Sequence, residues 1–249
     1  VSPVTNTLYR RPDLYDVEFG GYRADVRFYG EVLRAHPGLV VEPGCGTGRL
    51  WRFLRPPAYV GLDGSAAMLG GFRAWANQGP PLGVADVGAL PLASGCASVV
   101  VLAYNLVHHL WDEPALDRCL REAARVTRPG GVVALDVFMP PRPGGERVET
   151  EFGSFEERTG RAGARWRVGE RTVQDAATGV QATELRYEPL EGPGGVTVLT
   201  FTRRTWGGEA LLAALGRVGL VPVTTWGDVD GRAWTSASPR LMVACRPGG

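Results

Sequence analysis

The chain has 249 residues, 44% of them hydrophobic and 21% charged, enough for one large domain or two small ones around a packed core. With 27 basic residues against 26 acidic ones the net charge is +1, so the composition carries no electrostatic footprint for nucleic acid or an anionic membrane. Every basic residue is Arg, and the absence of Lys excludes Schiff-base chemistry, a pyridoxal-phosphate aldimine, a P-loop and a kinase-type ATP anchor.

Cys45, Cys96, Cys119 and Cys245 lie far apart, with no CxxC pair, which argues against a zinc knuckle, an iron–sulfur cluster or a disulfide scaffold. Val1 to Arg11 carries no apolar leader core and no 18-residue apolar run follows, so a cytoplasmic protein without membrane contact is the expectation.

The first 35 residues carry aromatics at helix-like intervals: Tyr9, Tyr15, Phe19, Tyr22, Phe28 and Tyr29. A helix is predicted from Asp25-Val26 through Leu33, stopped by His36-Pro37-Gly38. Strands are predicted at Leu39–Val41, Ala58–Leu62, near Leu82–Val84, at Val99–Ala103 and at Val132–Val137. Helices Arg49–Leu54, Ser65–Trp75 and Glu113–Thr127 fall between them. Short apolar strands alternating with helices predict a parallel sheet covered on both faces.

The pattern changes after Phe138. Met139–Gly145 is rich in Pro and Gly, and the apolar period then falls to about two. Strands are predicted at Arg165–Gln174, Ala182–Glu188 and Val196–Trp206, forming an antiparallel meander that covers substrate or makes an interface. A last helix, Glu209–Val218, and strands Leu220–Trp226 and Arg240–Cys245 complete the chain. The expected organisation is an N-terminal helical segment over 1–38, a core over 39–138, a β insertion over 139–206, and a return to the core sheet over 207–249.

Gly44-Cys45-Gly46-Thr47-Gly48 follows a strand and opens a helix, so the backbone can approach a ligand closely and present free N–H groups. The third glycine comes two residues after the second, so the dinucleotide fingerprint fails. Asp63 ends the second strand, where a carboxylate can accept hydrogen bonds from ribose hydroxyls, and Asp86 follows the third, within reach of an adenine amino group. Glu42 ends the first strand. Three acids around a glycine loop suit a ligand with cationic groups and suit phosphates poorly. Cys45 reads as a small buried filler rather than a nucleophile.

Taken in order, these segments resemble class I S-adenosylmethionine-dependent methyltransferases. The carriers are Val40-Val41-Glu42-Pro43-Gly44-Cys45-Gly46-Thr47-Gly48, Gly61-Leu62-Asp63-Gly64-Ser65 with Met68-Leu69, Ala85-Asp86-Val87 with Leu90-Pro91, Leu102 through Leu110, and Arg128-Pro129-Gly130-Gly131. The resemblance implies a doubly wound, seven-stranded, mostly parallel sheet in order 3-2-1-4-5-7-6, its last strand antiparallel. It implies S-adenosyl-L-methionine as cofactor and S-adenosyl-L-homocysteine as product; no metal site is expected. Cofactor contacts are expected from Tyr15, Glu42, Gly44, Cys45, Gly46, Gly48, Asp63, Gly64, Met68, Asp86, Val87, Tyr104, Asn105 and His108. In this family the N-terminal segment often closes over the cofactor, which makes Tyr15 and Tyr22 candidate lid residues beside the plainer reading of an amphipathic helix.

His109 is the candidate base or substrate contact, with helix packing as the alternative. The place after strand four holds Asn105-Leu106-Val107-His108 rather than the Pro-Pro motif of base and amide methylation, and no Asp cluster suits a metal-dependent catechol site. A small-molecule acceptor remains, at an amine nitrogen first and a hydroxyl second, in a monomer or homodimer. A cofactor-binding protein without turnover stays open.

Overall fold

The computed structural model describes residues 6–139, 148–150, 152, 155–160, 163–175 and 177–248. Part of the predicted 1–38 segment, residues 1–5, and most of the Pro/Gly-rich stretch, residues 140–145, lie outside them.

The chain opens with α1 (Pro12–Phe19) and α2 (Val26–Ala35), then alternates: β1 (Val40–Pro43), α3 (Arg49–Leu54), β2 (Tyr59–Asp63), α4 (Ala66–Trp75), β3 (Leu82–Val84), β4 (Ala97–Leu102), α5 (Glu113–Val126) and β5 (Thr127–Phe138). The second half runs through β6 (Val148–Glu149), β7 (Glu156–Thr159), β8 (Arg165–Asp175), β9 (Val180–Pro189) and β10 (Thr197–Arg204), then α6 (Gly208–Arg217), β11 (Leu220–Trp226) and β12 (Arg240–Pro247).

The main sheet has the order β3-β2-β1-β4-β5-β12-β11, the expected one, with β12 antiparallel to both of its neighbours. Every residue of β4 is buried, because the strand is central and helices cover both faces, so no polar alternation could survive in it. On one face α5 and α6 pack through Leu116, Leu120, Leu211 and Leu215; on the other, Phe28, Leu50, Leu69 and Phe72 bring in α2, α3 and α4. The buried residues of α5 recur at 116, 119, 120, 123 and 126, the spacing of a helix stripe, and Asp112 caps it by accepting from the Ala115 N–H at 2.7 Å.

β8, β9 and β10 form the predicted meander, a second antiparallel sheet that β6 and β7 extend at the β8 edge. Neither short strand was expected; the four residues of β7 are charged or polar and mostly exposed, so no apolar period marks it. Arg165 and Arg167 stand exposed in β8, in surface ion pairs with Glu157, Glu191 and Glu188. The inner face of this sheet buries Val168, Leu185, Tyr187, Leu199 and Phe201 against Leu8, Leu14 and Val17. The N-terminal helix is therefore a wedge between the second sheet and the main one.

Among the described residues no helix is long and apolar enough to cross a membrane, and no cluster of His, Cys, Asp or Glu could hold a metal ion.

Candidate functional site

The strand order reverses between β1 and β4, and the loops that leave their carboxyl ends part there. Such a switch point is where open α/β sheets bind ligands. A cavity of about 640 Å³ opens at that place. Its floor is the glycine loop, its sides are the turns after β2 and β4, and its roof comes from the N-terminal helix and the second sheet.

The glycine loop holds a shape that side chains would not permit. Gly44 and Gly46 have φ of +70° and +56°, and a Cβ on Gly44 would collide with Leu106 across the cavity wall. Asp63 pins the loop. Its carboxylate accepts from the Gly46 N–H and from the Ser65 N–H, both at 2.8 Å, while burial holds its pKa above the ordinary value despite those bonds. Glu42 is buried and accepts from the Tyr59 hydroxyl at 2.6 Å; burial pushes its pKa up to about 7, with Tyr59 and Arg49 pulling the other way. Arg49 is neutralised by a two-pronged ion pair with buried Asp25, at 2.6 and 2.7 Å. The floor thus offers carboxylates and backbone dipoles and no unpaired cation, which fits a ligand bearing hydroxyls and positive charge.

The turn after β4 is held from beneath. Asp136, buried at the end of β5, accepts from the Tyr29 hydroxyl and the Tyr104 N–H through the same oxygen, each at 2.6 Å. Tyr104 and Asn105 take left-handed conformations, φ +54° and +64°, and the Asn105 side chain accepts from the Phe138 N–H at 2.7 Å. Unfavourable backbone at two successive non-glycine residues persists only where its surroundings fix it, and places of this kind concentrate at ligand sites.

The cavity wall brings together Tyr15, Glu42, Gly44, Cys45, Gly46, Asp63, Gly64, Met68, Val87, Tyr104, Asn105 and His109 from the expected set. Three expected residues stand apart. Gly48 lies below the wall at φ +78°, where Phe72 of α4 occupies the space of a Cβ, so this glycine serves helix packing. Asp86 is exposed on its loop and accepts from the Gly88 N–H at 2.8 Å, and only its neighbour Val87 reaches the wall. His108, expected at the cofactor, is buried off the wall, with its ring beside the Trp206 backbone. The reason is geometric. Residues 106–109 form a 3-10 turn, in which successive side chains point about 120° apart, so only one of two adjacent histidines can face the cavity. Tyr22 packs tilted behind Tyr104, ring centres 4.8 Å apart, off the wall. The Cys45 thiol is buried and its pKa raised well above normal, as a filler requires.

Several wall residues were not singled out as site residues from the sequence: Tyr9, Glu18, Phe138, Glu170, Phe201 and Arg203. Tyr9 meets His109, its hydroxyl 3.0 Å from Nε2. Burial lowers the His109 pKa to about 4, with Arg203 adding to it, so the imidazole is neutral. The one legible signal was in β10, where Leu199, Phe201 and Arg203 share a face: an arginine at a position the alternation assigns to the interior.

Comparison with known proteins agrees with this geometry. Residues 41–135 match the methyltransferase domain family. Malonyl-[acyl-carrier protein] O-methyltransferase of Pectobacterium atrosepticum is 38% identical over 106 residues, 41% of this chain and 40% of that enzyme. The chain spans less than half the length of the curated relatives it matches, 40% and 45%. The CcbJ methyltransferase of Streptomyces caelestis has the same fold over 99% of this chain and 100% of its own, with a TM-score of 0.79 at 22% identity. The sugar N-methyltransferase KedS8 of Streptoalloteichus aligns over 94% and 92%, with a TM-score of 0.71 at 20% identity. The family match is confined to residues 41–135, and the chain has the fold of the class I S-adenosylmethionine-dependent methyltransferases.

Proposed function

We propose that this chain transfers a methyl group from S-adenosylmethionine to a small molecule, at an amine nitrogen. The observation that carries the proposal is one continuous cavity. Its wall joins the glycine loop, Glu42 and Asp63 to Tyr9, His109, Phe138 and Phe201, under a roof from the N-terminal helix and the second sheet, and Tyr9 bridges the two groups, its carbonyl accepting from the Ser65 hydroxyl at 2.8 Å. A roofed chamber admits a compact acceptor and suits a polymer poorly.

The cofactor, when bound, supplies a methyl group on a positively charged sulfur together with the leaving group. What remains for the protein is alignment and exclusion of water, and holding two reactants in line is itself worth several orders of magnitude in rate. Asp63 has lone pairs left for ribose hydroxyls, because among the described residues each of its oxygens accepts one backbone bond. Glu42 provides a carboxylate for the cationic part of the cofactor. The Tyr104–Asn105 turn, fixed by Asp136, bounds the place where acceptor and cofactor meet.

His109 is too weak a base to take the proton of an ammonium, since its pKa is lowered to about 4. Its use is as a neutral hydrogen-bonding group that, with Tyr9, orients the acceptor nitrogen and leaves its lone pair toward the methyl group. The name of KedS8 supports nitrogen as the acceptor, and the name of the Pectobacterium relative supports the second reading, a hydroxyl or carboxyl oxygen.

The test is tritium transfer from methyl-labelled S-adenosylmethionine to a panel of small amines, hydroxyl compounds, carboxylates and thiols. Product homocysteine nucleoside is titrated separately by calorimetry. Label in amines supports the reading and label only at oxygen selects the second one. Tight nucleoside binding with no transfer across the panel would mark a binder without turnover.

A further inference from the structure

We infer that Arg203 is an anchor for a carboxylate on the acceptor, so that the acceptor is an amino-acid-like molecule carrying an amine and an acid. The inference rests on the methyl-transfer reading for the role of the cavity, and it is carried by the state of this one side chain.

Arg203 is half-buried on the inner face of β10 and reaches the cavity wall. Its Nε donates to the Gln181 side chain on the neighbouring strand, which fixes the plane of the guanidinium. Among the described residues neither terminal nitrogen makes a hydrogen bond and no ion pair includes it. Arg49, the other arginine on the wall, is fully engaged with Asp25. Arg203 is thus a desolvated cation whose paired Nη donors, the edge that matches a carboxylate, are left for a ligand. Burial also lowers its pKa from the ordinary value, the mark of a charge that lacks its partner.

Its position sets what kind of anion. Arg203 lies over Phe201, whose ring centre is 6.4 Å from that of Tyr9, the partner of His109, so it stands beside the Tyr9–His109 pair. Two acids share the wall there. Glu18 is held by Arg158 at 3.4 Å, and Glu170 is exposed, with one oxygen accepting from the Thr172 hydroxyl at 2.8 Å. One open cation beside two carboxylates favours a singly charged anion over a doubly charged phosphate, and Glu170 offers a counter-charge for a cationic part of the same molecule. The cation beside the acceptor nitrogen also disfavours its protonation, keeping the amine in its nucleophilic form. Phe201, over which the guanidinium lies with 5.8 Å from Cζ to the ring centre, gives an apolar wall for the carbon skeleton.

The probes are benzoate, benzamide and phenyl phosphate, titrated by calorimetry into the wild-type protein and into R203Q, with and without S-adenosylhomocysteine. Benzoate is expected to bind at least ~10-fold more tightly than benzamide in the wild type, with phenyl phosphate no tighter than benzoate. In R203Q the preference for benzoate falls to about two-fold or less, and R203K, which keeps charge but loses the fork, retains part of it. R203K reads out the same preference if R203Q fails to fold. Equal binding of benzoate and benzamide, or a preference that survives in R203Q, overturns the inference; phenyl phosphate binding more tightly than benzoate overturns the carboxylate assignment. Failure of S-adenosylhomocysteine to bind would sink the methyl-transfer reading alone, because the benzoate preference is still read in the unloaded protein.

Discussion

Tyr9 Oη lies 3.0 Å from His109 Nε2, joining residues one hundred positions apart, with the two rings edge to face at 5.4 Å. Burial raises the tyrosine pKa far above its usual value and lowers that of the histidine to about 4, so the pair stays neutral across the physiological range. The neutral hydrogen bond ties the N-terminal segment to the turn after β4.

Tyr9→Phe removes the hydroxyl and keeps the ring. If the pair orients the acceptor, kcat/KM falls about 10- to 100-fold while the dissociation constant of S-adenosylhomocysteine changes by less than about three-fold. Steady-state rates and calorimetry on the same preparation separate the two. Unchanged rates would reduce the pair to a packing contact, and loss of cofactor affinity would make Tyr9 a cofactor contact.

His109 makes stability depend on pH in a definite direction. Its pKa is about 4 in the folded state and near 6.5 when exposed, so the unfolded chain binds more protons between those values. Stability then falls as pH drops through 6.5 toward 4. At pH 5 the wild type should lose about 2 kcal/mol relative to His109→Gln, compared with their difference at pH 7.5. Urea denaturation of both proteins at the two pH values checks this, and a constant difference would place the imidazole in contact with water.

The core sheet was readable because each of its signals is local. Val40-Val41 before the glycine loop, Asp63 at a strand end and the stripe of α5 each lie within one element, and the strand order followed from the resemblance they carried together. What stayed hidden depends on contacts across the chain. Tyr9 stood in the aromatic series, but nothing near it in sequence points to His109. His108 and His109 could not be ranked, because a four-residue turn sends adjacent side chains to opposite surroundings and leaves no periodic mark. Arg203 breaks the apolar alternation of β10, which shows an anomaly but not which cavity it faces. Asp86 is a different case: an acid after a strand reads alike whether it meets a ligand or closes its own loop on Gly88.

Asp63→Ala tests the floor of the cavity. It removes the acceptor of the Gly46 and Ser65 N–H groups as well as a ligand contact. Wild-type protein with S-adenosylhomocysteine at 100 times its dissociation constant gains about 2.7 kcal/mol by mass action, visible as a raised melting temperature. The variant is expected to show no such shift. An equal shift in both proteins would mean that the nucleoside sits elsewhere.

Gly48 is a structural counterpart whose effect is on stability rather than binding. At φ +78° and with the Phe72 ring in the path of a Cβ, Gly48→Ala must strain the backbone and displace a fully buried ring at once. The combined penalty is about 2–5 kcal/mol, which lowers the melting temperature. A variant as stable as the wild type would show that α3 can slide on α4.

Glu42 carries the opposite pH dependence from His109 and links it to the cofactor. Its folded pKa of about 7 exceeds the ordinary 4.5, so between these values the folded state binds more protons than the unfolded chain. Stability is full below pH 4.5 and declines as pH rises to about 7. The difference in unfolding free energy between wild type and Glu42→Gln should shift by roughly 2–4 kcal/mol in favour of the variant from pH 4.5 to pH 8. A cationic ligand beside the carboxylate lowers its pKa again, because the charge that burial penalises then has a partner. S-adenosylmethionine binding near pH 6.5 should therefore release protons, measured as a dependence of the calorimetric enthalpy on the ionisation enthalpy of the buffer. That dependence should vanish in Glu42→Gln. Binding without proton release in the wild type would place the positive charge of the cofactor away from Glu42, and would leave the carboxylate as a neutral acid hydrogen-bonded to Tyr59.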